Sequence, residues 1–189
     1  MRAFSLRLLC ELRVFFAVSL LALSCGSAQA QTNTSVYTPL DTKKCRTLQS
    51  SSSEGGSYFG RCPGISGYTL LLAEDDLRQT ITVVTPRGTK HSLELWQVVS
   101  GGFSSLGPKA EWHMSRQKGK LVPVALIVRY NASENPEDSN KTTSYLAVAK
   151  ITAEEICVTD KISPGASANE DAQRAADAAT TKACLKTQD

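Results

Sequence analysis

From residue 45 onward, short runs with alternating apolar and polar positions follow one another, separated by Gly, Pro, Ser and Asn. Runs of this length bounded by turn residues predict β-strands. They fall at 45–49, 58–61, 68–73, 79–85, 92–100, 111–115, 122–130, 144–151 and 156–161. Residues 80–85 are β-branched throughout (Thr-Ile-Thr-Val-Val-Thr), which suits a pleated surface and crowds a helix. Pro86-Arg87-Gly88 then supplies a turn, because Pro presets φ and Gly accepts positive φ. In 122–130, Val124, Leu126 and Val128 fall on one face and Ala125, Ile127 and Arg129 on the other, and Pro123 marks an edge or a strand that starts after it. The runs lie too close together for crossover helices, so the pairing is expected to be antiparallel.

The periodicity changes once. After Ser163-Pro164-Gly165, residues Ala172, Ala175, Ala176, Ala179 and Ala183 recur at helical spacing. Ser167 and Glu170 match a capping box, and Glu170, Asp171 and Lys182 complement the helix dipole. The expected fold is therefore α+β and mainly β, an antiparallel sheet or partly open barrel of about 7–9 short strands. One C-terminal α-helix over about 167–185 packs on it. The stretches 50–57, 100–108 and 131–143 read as loops.

The chain of 189 residues divides into three parts. Residues 1–30 read as a signal peptide: Arg2, Arg7 and Arg13 precede an apolar run over 14–24, and Ala28-Gln29-Ala30 offers a cleavage point after Ala30. An eleven-residue run would span only about 16 Å as a helix, short of a bilayer core. The alternative is a lipoprotein anchored at Cys25. Residues 31–40 are polar and read as a flexible leader, and 41–189 as a single β-rich domain. The expected location is periplasmic or secreted.

Export changes the reading of charge and cysteine. Of the formal net charge of +3, residues 1–30 hold three arginines and one glutamate, so the remainder carries +1. That is a poor match for non-specific nucleic-acid binding. Four cysteines remain, Cys45, Cys62, Cys157 and Cys184, and four allow three pairings. Cys45 and Cys62 lie equidistant from a turn centred on Ser53-Glu54, so a hairpin there sets them face to face at bridging distance. Cys157 is in a strand and Cys184 near the end of the helix that folds over it. The expected disulfides are Cys45–Cys62 and Cys157–Cys184.

Candidate chemistry is sparse, and no cofactor or metal is expected. His91 and His113 are the two histidines. Glu111 and His113 share a strand face and could offer a metal two ligands, with His91 as a third, but solvent-facing strand residues are the simpler expectation. No G-x-S-x-G elbow accompanies the serines. Glu74-Asp75-Asp76 reads as a solvated turn, and Trp96 and Trp112 as core residues in alternating strands, with an exposed stacking pair as the alternative. Two basic turns, carrying Arg87 and Lys90, and Lys118 and Lys120, would form one tentative binding patch if they lie at the same end of the sheet.

In size, compartment and disulfide-pinned β character the chain is similar to small periplasmic inhibitors of lysozyme. Ser66-Gly67-Tyr68 and Thr89-Lys90-His91 depart from the S-G-x-x-Y and T-K-G segments that mark the C-type group, so no site residue follows from the likeness. The leading functional expectation is a non-catalytic protein that binds another envelope macromolecule, a protein or a glycan. The alternatives are a structural or stress-linked envelope protein and, behind these, a small secreted hydrolase.

Overall fold

A computed structural model describes residues 33–52, 56–138 and 140–187. The signal-peptide reading of residues 1–30, the Cys25 anchor and the turn centre Ser53-Glu54 lie outside the described residues. The fold is mainly β. Two antiparallel sheets of five strands each carry a C-terminal helix and two disulfides. The first sheet has the order β1 (Thr34–Pro39), β7 (Ser104–Gln117), β8 (Lys120–Ser133), β9 (Thr142–Ile151), β10 (Ile156–Ile162). The second runs β2 (Arg46–Ser51), β3 (Ser57–Cys62), β4 (Thr69–Asp75), β5 (Arg78–Val84), β6 (Lys90–Ser92). A single helical turn, α1 (Leu95–Val98), links the sheets, and α2 (Ala168–Ala178) follows β10.

The strand alternation sets the layers. Leu126, Val128 and Tyr130 of β8, and Ala147, Ala149 and Ile151 of β9, pack with Leu70, Leu72, Ile81 and Val83 of the second sheet in one core. The opposite face of the same strands carries Ala125, Ile127, Leu146 and Val148, covered by Ala172, Ala175, Ala176 and Ala179. The central strands of the first sheet are thus apolar on both faces, with a sheet over one and a helix over the other. Pro123 lies beyond the last β8–β9 pair, Ala125 with Lys150, where its missing donor leaves no gap in that ladder.

Several boundaries differ from the sequence reading, each for a physical reason. Residues 34–39 are not a leader but the edge strand β1, paired with β7 from Thr34↔Met114 to Pro39↔Lys109. Its inward positions hold only Val36 and Thr38, which is why it reads as polar; Trp112 Nε1 donates to Thr38 Oγ1 at 2.8 Å and fixes it. Residues 92–100 are not one strand. Glu94 takes a left-handed conformation (φ 46°) and turns the chain into α1, which buries Leu95, Val98 and Val99 at helical spacing. The third loop shortens to 134–141, because β8 continues to Ser133 and β9 starts at Thr142.

The C-terminal helix stops earlier than predicted. α2 ends at Ala178, passes through a 3-10 turn over Ala179–Thr181 and becomes extended at Lys182. Ser167 does not cap an amide; its hydroxyl bonds the Asp171 carboxylate instead. Lys182 is no dipole partner either. Its Nζ pairs with Asp160 at 2.6 Å, its carbonyl accepts from the buried Lys150 ammonium, and Lys150 also pairs with Glu155 at 2.7 Å. The extended tail is what lets Cys184 bridge to Cys157 and the Leu185 amide bond the Val158 carbonyl. Cys45 and Cys62 bridge one step beyond the register pair Arg46↔Arg61.

Closing a loop with a sequence separation of 27 residues restricts the unfolded chain enough to contribute about 3.5 kcal/mol on a chain-entropy basis. The Cys157→Ser/Cys184→Ser variant should lose about that amount in a urea titration. An unchanged midpoint would mean that the polar contacts of residues 182–185 suffice to hold the tail.

Candidate functional site

Two clefts hold the groups with chemical potential. The first, about 800 Å³, lies between β1, β7 and α2, lined by Asn33, Ser35, His113, Ser115, Gln173 and Asp177 among others. Residues 111 and 113 sit on the helix-facing side of β7, two positions apart, and their partners on α2 are four apart. Gln173 Nε2 donates to Glu111, and Asp177 Oδ1 sits 2.7 Å from His113 Nε2. The match follows from geometry, since two strand residues advance about as far as one helical turn. Glu111 also accepts from the Ser35 hydroxyl, and Asp177 from Asn33 Nδ2 at 2.7 Å. His113 is only 4% exposed, so it is not the solvent-facing residue expected.

This cleft has two members of a nucleophilic triad without the third contact. Asp177 occupies one ring nitrogen of His113, while the other, Nδ1, is buried with no hydrogen-bond partner. Ser115 lines the cleft but does not bond that nitrogen, and Ser35 is committed to Glu111. In a serine triad that nitrogen would take the proton of the nucleophile. What the pair does do is join α2 to β7. The three-ligand metal reading is not assembled: His91 is on β6 of the second sheet, paired with Val83, while Glu111 and His113 face α2. Glu155, Cys157 and Cys184 bring three ligand-type atoms together, but both sulfurs form the disulfide and Glu155 pairs with Lys150.

The second cleft, about 540 Å³, opens at one end of the second sheet between the β4–β5 turn and α1. Asp75, Asp76, Arg78, Thr80, Trp96 and Gln97 line it. The two tryptophans have parted: Trp112 is fully buried, whereas Trp96 is 41% exposed, because α1 turns inward Leu95, Val98 and Val99 and leaves Trp96 outside. Leu77, between the lining residues Asp76 and Arg78, and Phe103, against the Arg78 guanidinium, are 49% and 45% exposed. Arg78 links the group, its guanidinium 5.1 Å from the Phe103 ring centroid, its Nε bonding the Gly101 carbonyl and its Nη1 paired with Asp76.

The backbone here is held in unusual conformations. Asp76 and Leu77 both have positive φ (47° and 58°), as a two-residue type I′ hairpin demands, at positions where Asn-Gly is the ordinary choice. An exposed leucine in that conformation costs energy on both counts. The surroundings fix it: the Ser104 amide bonds the Leu77 carbonyl, the Leu95 amide bonds Thr80 Oγ1, and the buried Tyr130 hydroxyl donates to the Ser100 carbonyl at 2.9 Å. Gly102 completes the seat, since a Cβ there would meet the Ser133 carbonyl oxygen at 2.2 Å.

The basic tips lie elsewhere. β5 and β7 start side by side, with the Leu106 amide bonding Gln79 Oε1 and the Gln79 amide bonding Ser104 Oγ. Both strands therefore run away from the Leu77 end. Arg87 and Lys90 sit at the far end of β5, and Lys118 and Lys120 at the far end of β7, on tips of different sheets. Sequence reasoning missed Trp96 and Leu77 as exposed residues. The available signal was Leu95-x-x-Val98-Val99, one helical turn inside an apolar run.

Asp177 carries a pH signature. Burial pushes its carboxyl pKa up, but hydrogen bonds from His113 and Asn33 and the imidazolium charge outweigh this and leave it below the ordinary 3.8. With the folded value depressed, stability is present above the ordinary value and is lost as pH falls through the folded one. Asp177→Asn should flatten the acid decline of the urea midpoint as pH falls below the ordinary 3.8, modestly, because the carboxylate is half exposed. Equal slopes for the two proteins would mean His113 exerts no hold on this carboxylate.

Comparison of the chain with protein-family models, with curated proteins and with solved structures finds no match.

Proposed function

We propose that this chain is an exported, non-catalytic protein that binds another envelope macromolecule, and that the surface formed by Leu77, Trp96 and Phe103 is where it binds. The observation that carries the reading is Trp96 exposed in a cleft whose other lining residues hold two more exposed apolar side chains at its border, Leu77 in the turn between Asp76 and Arg78, and Phe103 against the Arg78 guanidinium. Exposed apolar residues scattered singly are ordinary, but a group seated on strained, well-anchored backbone is a feature of interaction sites. Tryptophan in particular dominates the energetics of protein interfaces. Two disulfides suit an oxidising, extracytoplasmic setting. No helix among the described residues is long and apolar enough to cross a membrane. Export by residues 1–30, with cleavage after Ala30 and delivery to the periplasm, completes the reading. The two basic turns, one carrying Arg87 and Lys90 and the other Lys118 and Lys120, are available separately to an acidic partner.

The test is affinity capture from an envelope extract with the oxidised protein, run beside a Trp96→Ala/Phe103→Ala variant. Both residues are exposed, so the variant should keep its thermal midpoint within a few degrees. A stoichiometric partner retained by the wild type and lost by the variant is expected. Equal recovery by both proteins, or no enrichment by either, would overturn the assignment.

A further inference from the structure

The Trp96 cleft has a charge as well as a shape. Its lining carries two carboxylates, Asp75 and Asp76, against one cation, Arg78. Arg78 pairs with Asp76 and is also held by the Gly101 carbonyl and the Phe103 ring, so the exposed Asp75 carries the uncompensated negative charge of the lining. A neighbouring groove on the other side of Arg78 is bounded by Phe103, Glu134, Asn135 and Pro136. Burial raises the Glu134 pKa, but hydrogen bonds from Ser100, Tyr145 and Thr143 and the charge of Lys161 draw it down, so this carboxylate is ionised at neutral pH. The same loop continues into the exposed Glu137 and Asp138. The apolar group is therefore framed by negative charge, and the basic tips of the molecule lie at the opposite end of β5 and β7.

An aromatic face beside carboxylates discriminates among ligands. The indole face attracts a cation, most strongly where water is partly excluded. The surrounding acidic groups attract it from a distance and repel anions. A neutral sugar could stack on Trp96 but would gain nothing from the charge. Resting on the binding role above, we propose that the cleft receives a lysine or arginine side chain of a partner polypeptide. Its cation lies against Trp96 beside Asp75, and an adjacent apolar residue of the partner covers Leu77 and Phe103.

Trp112 is fully buried, so an emission change on ligand binding reports Trp96. The probes are an acetylated, amidated Arg-Leu-Arg-Leu peptide, its Glu-Leu-Glu-Leu counterpart and a neutral glucan tetrasaccharide. The arginine peptide should give a saturable change at low salt that is absent in Trp96→Phe. Its affinity should fall at least tenfold in Asp75→Asn/Asp76→Asn and fall again in 0.5 M salt. Asp75→Asn alone keeps the Asp76–Arg78 pair of the turn intact and should still weaken binding severalfold. No response to the arginine peptide, an equal response to the glutamate peptide or tetrasaccharide, or undiminished affinity in both asparagine variants would overturn the proposal. If Trp96→Ala/Phe103→Ala still abolishes partner capture in that event, the binding role stands and only the cationic partner falls.

Discussion

Everything in this molecule depends on the central strands of the first sheet being apolar on both faces. A strand such as β8, buried from Val124 to Val128, is stable only if both sides are covered. The second sheet covers one side with leucine, isoleucine and valine, and α2 covers the other with alanines. The two covers are unequal. Burying an alanine methyl contributes about 0.8 kcal/mol, so the four-alanine stripe supplies on the order of 3 kcal/mol. A single cross-link of the kind that ties Cys184 to Cys157 contributes a similar amount. That parity explains the other ties on the helix, Glu111 with Gln173 and His113 with Asp177, and the anchored tail beyond it. The small side chains bring the helix close, and the polar contacts and disulfide keep it there.

The same frame makes a strained cleft possible. Asp76, Leu77 and Glu94 hold conformations that an isolated peptide would leave at once. They persist because both elements that carry them are fixed from behind, α1 by the buried Leu95 and Val98 with Val99 just beyond it, and the Leu77 turn by the first residue of β7. The exposed Trp96 is a consequence: a one-turn helix can bury only one side. The exposed Trp96 and the buried Leu95 and Val98 thus occupy opposite sides of four residues.

Much of the fold was legible in the sequence because strand signals survive without context. The β-branched run at 80–85, the alternation of 124–129 and the symmetric placement of Cys45 and Cys62 each constrain local geometry. What stayed hidden depends on distant partners. β1 is a strand because Trp112 and the β7 edge receive it, not because its polar sequence insists on it. The helix ends early because Cys184 and Leu185 must reach β10. The candidate site was the least legible part, since Trp96 alternates with apolar neighbours whether 92–100 forms a strand or a turn of helix, and only the left-handed Glu94 decides between them. Likewise His113 was readable as a strand residue but not as the partner of Asp177, 64 positions away.

The central claim is that the Trp96 cleft is preformed on a rigid frame. Hydrogen exchange of the free protein, followed by mass spectrometry over residues 93–100, tests it most directly. The Leu93 amide is bound to the Ile81 carbonyl, the Leu95 amide to Thr80, and those of Val98 and Val99 within the α1 turn. These amides should exchange slowly, within about tenfold of the buried centre of β8, because they open only when the frame does. Exchange of this segment at the rate of an unstructured loop, while β8 stays protected, would show that the cleft is not preformed in the free protein.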